Sequence, residues 1–152
     1  MKKNYLPVLI SLFIGPSLFA QSISLDNGKA RLVVSLDGGI ITELSLGSID
    51  VNVLHDYGHF LCFDRWGPST KEEKELGIPF HGNASKIRWN LLQDVELQAK
   101  PVLLEMSCLL PIVKLGMNRK IYQHPNSPVF RIVEEISNQG DSTKVFNVVQ
   151  HP

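Results

Sequence analysis

From Ala30 onward, apolar side chains recur on the short period of β-structure, and turn-forming residues break the pattern about every ten positions. ARLVVSL is followed by Asp37-Gly38-Gly39 and then by IITELSL, which reads as a hairpin leading into a meander through GSID and VNVL. Strand patterning returns in KIRWNLL and DVELQA, then in VLLEMSCLL, VKLGMNRKIYQ, VFRIVEEIS and KVFNVV. The breaks between the later segments, Lys100-Pro101, Pro111, HPNSP and NQGDS, are rich in residues that turn the chain. Seven to nine such strands, with no alternation of strand and helix, predict an all-β antiparallel sandwich and exclude a dinucleotide-binding α/β fold.

The first twenty residues stand outside this pattern. MKKNYLPVLISLFIGPSLFA carries Lys2 and Lys3, an apolar stretch from Leu6 to Ile14, the helix breaker Gly15-Pro16 and the small Ala20, which together read as a signal peptide. The apolar run is too short and too interrupted for the roughly 20 residues that span a bilayer. The expected product is residues 21–152, a single domain in the periplasm or outside the cell, with no stable membrane anchor after cleavage. The 15 basic residues fall to 13 once Lys2 and Lys3 are removed, against 15 acidic ones. With no basic stripe, neither nucleic acid nor an anionic membrane is an expected partner. Cys62 and Cys108 lie in apolar runs, and both a disulfide and two buried thiols are compatible with an oxidising compartment.

Between the meander and the later strands lies an unpatterned stretch of about thirty residues, HDYGHFLCFDRWGPSTKEEKELGIPFHGNAS. Loops this long within a compact domain tend to carry function. Only KEEKELG has the composition of a helix. His55 and His59 stand four apart, as in zinc proteases, but that chemistry needs a helix and a Glu directly after the first His. Asp56 occupies that place and Gly58 weakens a helix, so HDYGH reads as a loop shaping a pocket, and no metal or other cofactor is expected. Cys62 with His59 and Asp64 could be written as a nucleophilic triad, yet nearness along the chain does not bring such groups together, and a buried thiol is the simpler reading.

In GIPFHGNASKIRW, His81 precedes Gly82 and Trp89 follows on the next strand. A histidine at such a junction can donate into a cleft, and a tryptophan face can stack on a sugar ring; equally, His81 can cap a turn and Trp89 can belong to the core. Arg65 in DRWGP offers a fork of donors to hydroxyls or carboxylates, or it pairs with Asp64 or a glutamate of KEEKE. In VFNVVQHP, either Gln150 or His151 must face inward and find a polar partner.

Taken in order, ARLVVSLDGGIITELSL, PFHGNASKIRW and IVEEISNQGDSTKVFNVVQHP resemble the galactose mutarotase-like (aldose 1-epimerase-like) proteins, in particular their N-terminal half, over residues 28 to 152. The resemblance implies a β-supersandwich with an open carbohydrate cleft, incomplete at its C-terminal end. It further implies that His81 is the first pocket histidine, that His151 is the general acid at the ring oxygen of the sugar, and that Arg65 stands where the family keeps a substrate-binding arginine, although FDRWGP departs from the family pattern. Trp89 is the candidate stacking platform. The implied activity is isomerase chemistry, the interconversion of sugar anomers, with a sugar or glycan as ligand. The family takes its glutamate base from beyond residue 152, and Glu134 and Glu135 lie mid-strand with no reason to assume that role. A non-catalytic carbohydrate-binding module is the alternative. An incomplete sandwich is expected to expose strand edges and apolar faces.

Overall fold

The computed structural model describes residues 21–49, 51–54, 56–92 and 102–151. The signal-peptide reading, His55 and the DVELQA segment lie outside the described residues. The architecture is the expected all-β antiparallel one. In chain order the elements are β1 (Ser22–Asp26), β2 (Ala30–Ser35), β3 (Ile41–Leu46), β4 (Phe60–Phe63), the short helix α1 (Lys71–Glu75), β5 (Asn90–Leu91), β6 (Val102–Leu110), β7 (Leu115–Gln123), β8 (Phe130–Asn138) and β9 (Val148–His151). They form three sheets, β1-β2-β3, β5-β6-β7-β8 and the pair β4-β9.

The β1-β2-β3 and β5-β6-β7-β8 sheets share one core. Leu25, Leu32, Val34 and Ile41 from the first meet Leu104, Met106, Leu115, Met117 and Ile121 from the second, all buried. Alternation along β6 and β7 places every second residue in this core, and on β7 the inward set also contains Arg119 and Gln123, each 1% exposed. Two polar side chains on a buried face need partners. Gln123 Nε2 donates to the Ala30 carbonyl at 3.1 Å. Arg119 donates to the Gly39 carbonyl and to Glu134, with Nε to Oε1 at 2.8 Å and Nη2 to Oε1 at 2.6 Å. Its guanidinium also lies 4.7 Å from the centre of the Trp89 ring.

Trp89 is fully buried, and its indole N–H donates to the Ala84 carbonyl at 3.0 Å. A Cβ on Gly39 would come within 2.6 Å of the indole, so the Asp37-Gly38-Gly39 signal marks a close approach of backbone to ring as well as a turn. The turn itself closes with Ser35 N–H donating to the Ile40 carbonyl at 2.8 Å.

Several sequence expectations are changed. VNVL is not a strand: Asn52 Oδ1 accepts from Leu44 N–H at 3.0 Å and Asn52 Nδ2 donates to the Thr42 carbonyl at 2.9 Å. The Asn52 side chain thus takes two bonds of the β3 edge where a backbone ladder was expected, and a single backbone bond, Val53 N–H to the Leu44 carbonyl at 2.9 Å, completes the contact. KIRWNLL contributes only the two-residue β5. The helix expected at KEEKELG forms as α1, with a capping box in which Thr70 Oγ1 accepts from Glu73 N–H and Glu73 accepts from Thr70 N–H. Cys62 and Cys108 are free and buried, on β4 and β6. Burial raises both thiols, Cys108 to about 12, so neither is a thiolate nucleophile at neutral pH. Exposed apolar side chains include Leu109 on β6 and, outside the strands, Val53, Val129 and Val145.

Candidate functional site

The site is assembled by a pairing that joins distant parts of the chain. β9 runs antiparallel to β4, with Phe60 opposite His151 and Phe63 opposite Val148. This register brings the last described residue to the mouth of the long loop region. The Phe60 and His151 rings stack at 4.5 Å with an interplanar angle of 12°. Gln150, the neighbouring position, points to the other side and donates to Glu134 Oε2 at 2.8 Å. Gln150 is exposed and meets Glu134 at the surface, so His151, half-buried against Phe60, is the residue of the two that turns toward the loop region.

His81 reaches the same place from a turn. Gly82 N–H donates to the Pro79 carbonyl at 3.0 Å, closing Pro79-Phe80-His81-Gly82, and His81 holds φ at 64°. A non-glycine residue in the left-handed region is uncommon and costs about 1–2 kcal/mol, although histidine tolerates it better than most. The surroundings over-determine it. Gly82, with φ of 77°, lies directly against the Phe63 carbonyl and bridges Phe63 as a parallel partner. Asp64 Oδ1 accepts from Asn83 N–H at 3.2 Å. Asn83 is itself buried, and its Nδ2 points to Asp64 Oδ2 at 3.4 Å.

The His81 and His151 ring centres are 5.5 Å apart. They line a cavity of about 410 Å³ together with Ile40, Tyr57, Phe60, Phe80, Ser85 and Lys86. Trp66 lies 5.0 Å from His81 and 5.9 Å from His151, and about half of it is exposed. Phe80 packs edge-on to His81 at 3.9 Å. A cavity of this size, with apolar and aromatic walls and a few converging polar groups, has the ordinary make-up of a small-molecule site.

Gly67 N–H donates to His81 Nδ1 at 3.2 Å. A backbone N–H can only donate, so Nδ1 is unprotonated and the ring proton sits on Nε2. The electrostatics agree: desolvation holds His81 below its ordinary 6.5, with the His151 ring and Lys86 adding to the effect. His81 is thus a neutral donor of fixed tautomer. His59 is also lowered, first by burial and then by Arg119, and its Nδ1 is buried with no hydrogen-bond partner among the described residues.

These two histidines set a pH dependence. Each binds a proton less readily folded than unfolded, so the stability they contribute is full above the unfolded value near 6.5 and is lost as pH falls below it. The urea midpoint is expected to be lower at pH 5.5 than at pH 7.5, and His59→Gln should narrow that gap. A midpoint that rises toward pH 5.5 would contradict the assignment.

Of the four site residues expected from sequence, the fold brings two together, His81 and His151. Trp89 is a correction: it is wholly enclosed under Arg119 and has no face left for a ligand. Arg65 does not line the cavity; its Nε and Nη2 donate to the Pro68 carbonyl at 2.9 and 2.6 Å, and Nε lies 3.4 Å from Glu73 of KEEKE. The tryptophan beside the histidines is Trp66, which sits in the same DRWGP stretch that drew attention to Arg65. Phe60, Phe80 and Tyr57 are aromatic residues of the lining that were not expected from the sequence. Their signal was the density of aromatics within the unpatterned loop.

No protein family and no curated protein matches this chain by sequence. Two solved structures match it in fold. One is the Slr1438 protein from Synechocystis sp. PCC 6803, with a TM-score of 0.57 and 16% identity over 80% of this chain and 50% of that one. The other is a protein of Escherichia coli K12 named a "Putative aldose 1-epimerase", with a TM-score of 0.59 and 14% identity over 84% of this chain and 50% of that one. The chain spans about half the length of each. With its antiparallel sheets, the chain has an aldose 1-epimerase-like fold.

Proposed function

We propose that the cavity between His81 and His151 binds an aldose, and that this part of the fold supplies the proton-donor half of anomer interconversion in the whole protein. The observation that carries the reading is the convergence of a neutral, tautomer-fixed His81 with His151, 5.5 Å apart, in a cavity walled by Phe60 and Phe80 and flanked by Trp66. Aromatic faces suit the apolar faces of a sugar ring, and imidazole donors suit its oxygens.

In the proposed reaction a proton leaves the O1 hydroxyl while another is delivered to the ring oxygen. The C1–O5 bond breaks, the open-chain aldehyde forms, and C1 rotates before reclosure. His81, donating through Nε2, polarises and orients the sugar. His151 delivers the proton to the ring oxygen and recovers it on closure, the general-acid role that imidazole side chains commonly fill.

A base is also required. No Asp or Glu lines the cavity among the described residues, and Glu134 is engaged by Arg119 and Gln150. That absence favours a second reading, a carbohydrate-binding module that holds the sugar without turning it over.

Polarimetry with fresh α-galactose or α-glucose separates the two readings. Anomerisation faster than buffer, reduced about 100-fold or more in His151→Asn, is the result expected of an epimerase. Binding without acceleration supports the module, and unchanged activity in His151→Asn would remove the acid from His151.

A further inference from the structure

The loop that follows His81 carries more recognition chemistry than a neutral sugar uses. Asn83 to Lys86 form a tight turn, with Lys86 N–H donating to the Asn83 carbonyl at 2.8 Å. Its far side is fixed to the Asp37-Gly38 turn, where Gly38 N–H donates to the Ile87 carbonyl at 2.8 Å and Arg88 pairs with Asp37 at 2.8 Å. Ser85 and Lys86 are thereby held at the cavity wall beside His81 and His151.

Two features of this wall stand out. Ser85 Oγ is buried with no hydrogen-bond partner among the described residues, an arrangement that is costly unless something supplies the bond. Lys86 forms no ion pair among the described residues, whereas the other residues of the turn contacts, Arg88 and Asp37, neutralise each other. The lining holds Lys86, two imidazoles, a tyrosine and a serine but no carboxylate. The cavity is therefore rich in donors and carries one positive charge, that of Lys86 at its exposed rim, whose field reaches His81.

We propose that the ligand of this cavity is an anionic sugar, its carboxylate or phosphate ester held by the Lys86 ammonium and the Ser85 hydroxyl. The proposal rests on the sugar-binding reading above and specifies the class of sugar. A negative group there gives Ser85 an acceptor and Lys86 a counter-charge, and its two possible sources, a uronic acid and a sugar phosphate, share that chemistry.

Calorimetric titration of the protein with galactose and glucose, with galacturonate and glucuronate, and with the corresponding hexose 6-phosphates tests this. At low salt at least one charged sugar is expected to bind about five- to tenfold more tightly than its neutral parent. The advantage should disappear in Lys86→Met and shrink in 0.5 M salt, a salt level at which the screening length is only a few ångströms. Ser85→Ala should weaken the same charged sugar by about two- to tenfold. The uronate and phosphate arms decide which anion is meant. Neutral sugars binding as tightly as both charged classes, or a preference that survives Lys86→Met, would overturn the proposal while leaving the sugar site standing. Failure of every sugar to bind would overturn both.

Discussion

Arg119→Met should lower the stability of the fold by about 3–5 kcal/mol, the usual consequence of removing one member of a buried ion pair. Three groups lose a contact at once. Glu134, whose side chain is 13% exposed, keeps its carboxylate but loses the guanidinium that compensates it. The Gly39 carbonyl loses its donor, and the Trp89 ring loses the cation 4.7 Å from its centre. Methionine fills much of the same volume, so the loss reports polar pairing more than packing. Urea unfolding of Arg119→Met and of the double variant Arg119→Met/Glu134→Gln checks this. The double variant should recover part of the loss, because the stranded charge is gone. A single-variant loss below about 1 kcal/mol would mean that the buried arginine is dispensable.

Gly82→Ala should cost about 3 kcal/mol or more and should damage the site along with the fold. The residue sits at φ of 77°, which alone penalises a side chain by about 1–2 kcal/mol. A Cβ there would also overlap the Phe63 carbonyl oxygen and Asp64 Oδ1, one of them rigid backbone. Relief requires opening the Phe63–Gly82 bridge, which moves His81 away from Gly67 and His151. A lowered melting midpoint with loss of the His81–Gly67 hydrogen bond, read from imidazole nitrogen shifts, is the expected outcome. A variant with wild-type stability would show that the approach of the two segments is loose.

What could be read from the sequence follows from how local each feature is. β2, β3, β6, β7 and β8 announce themselves through alternation bounded by turn residues, and VLLEMSCLL coincides with β6 from Val102 to Leu110. β4 is only four residues long and lies among glycines, so it lacks a window in which a period could show. Its pairing with β9 joins residues some ninety positions apart, and nothing local records such a contact. Arg119 and Gln123 occupy inward positions of β7 while having the composition of outward ones, so pattern and polarity give opposite answers until the partners are known.

The candidate site was legible in part. His81 and His151 were marked by family resemblance, and the fold brings them together. Trp89 was misjudged because a tryptophan next to a functional loop looks the same whether it faces solvent or core. Trp66 is the tryptophan that lies beside the two histidines, and it was overshadowed by Arg65, which the loop uses to tie itself to Pro68 and Glu73. The charge on Lys86 was visible in the sequence, but its lack of an ion-pair partner among the described residues became apparent only in the structure.

The most direct test of the central claim is a long-range ¹H–¹⁵N correlation spectrum of the imidazole rings, recorded while an aldose or its charged derivative is added. The His81 and His151 nitrogens should move together and saturate at one affinity, with His81 reporting Nε2–H throughout, while His124 stays still because it lies outside the cavity. Histidine signals that do not move, or movement confined to rings other than His81 and His151, would contradict it.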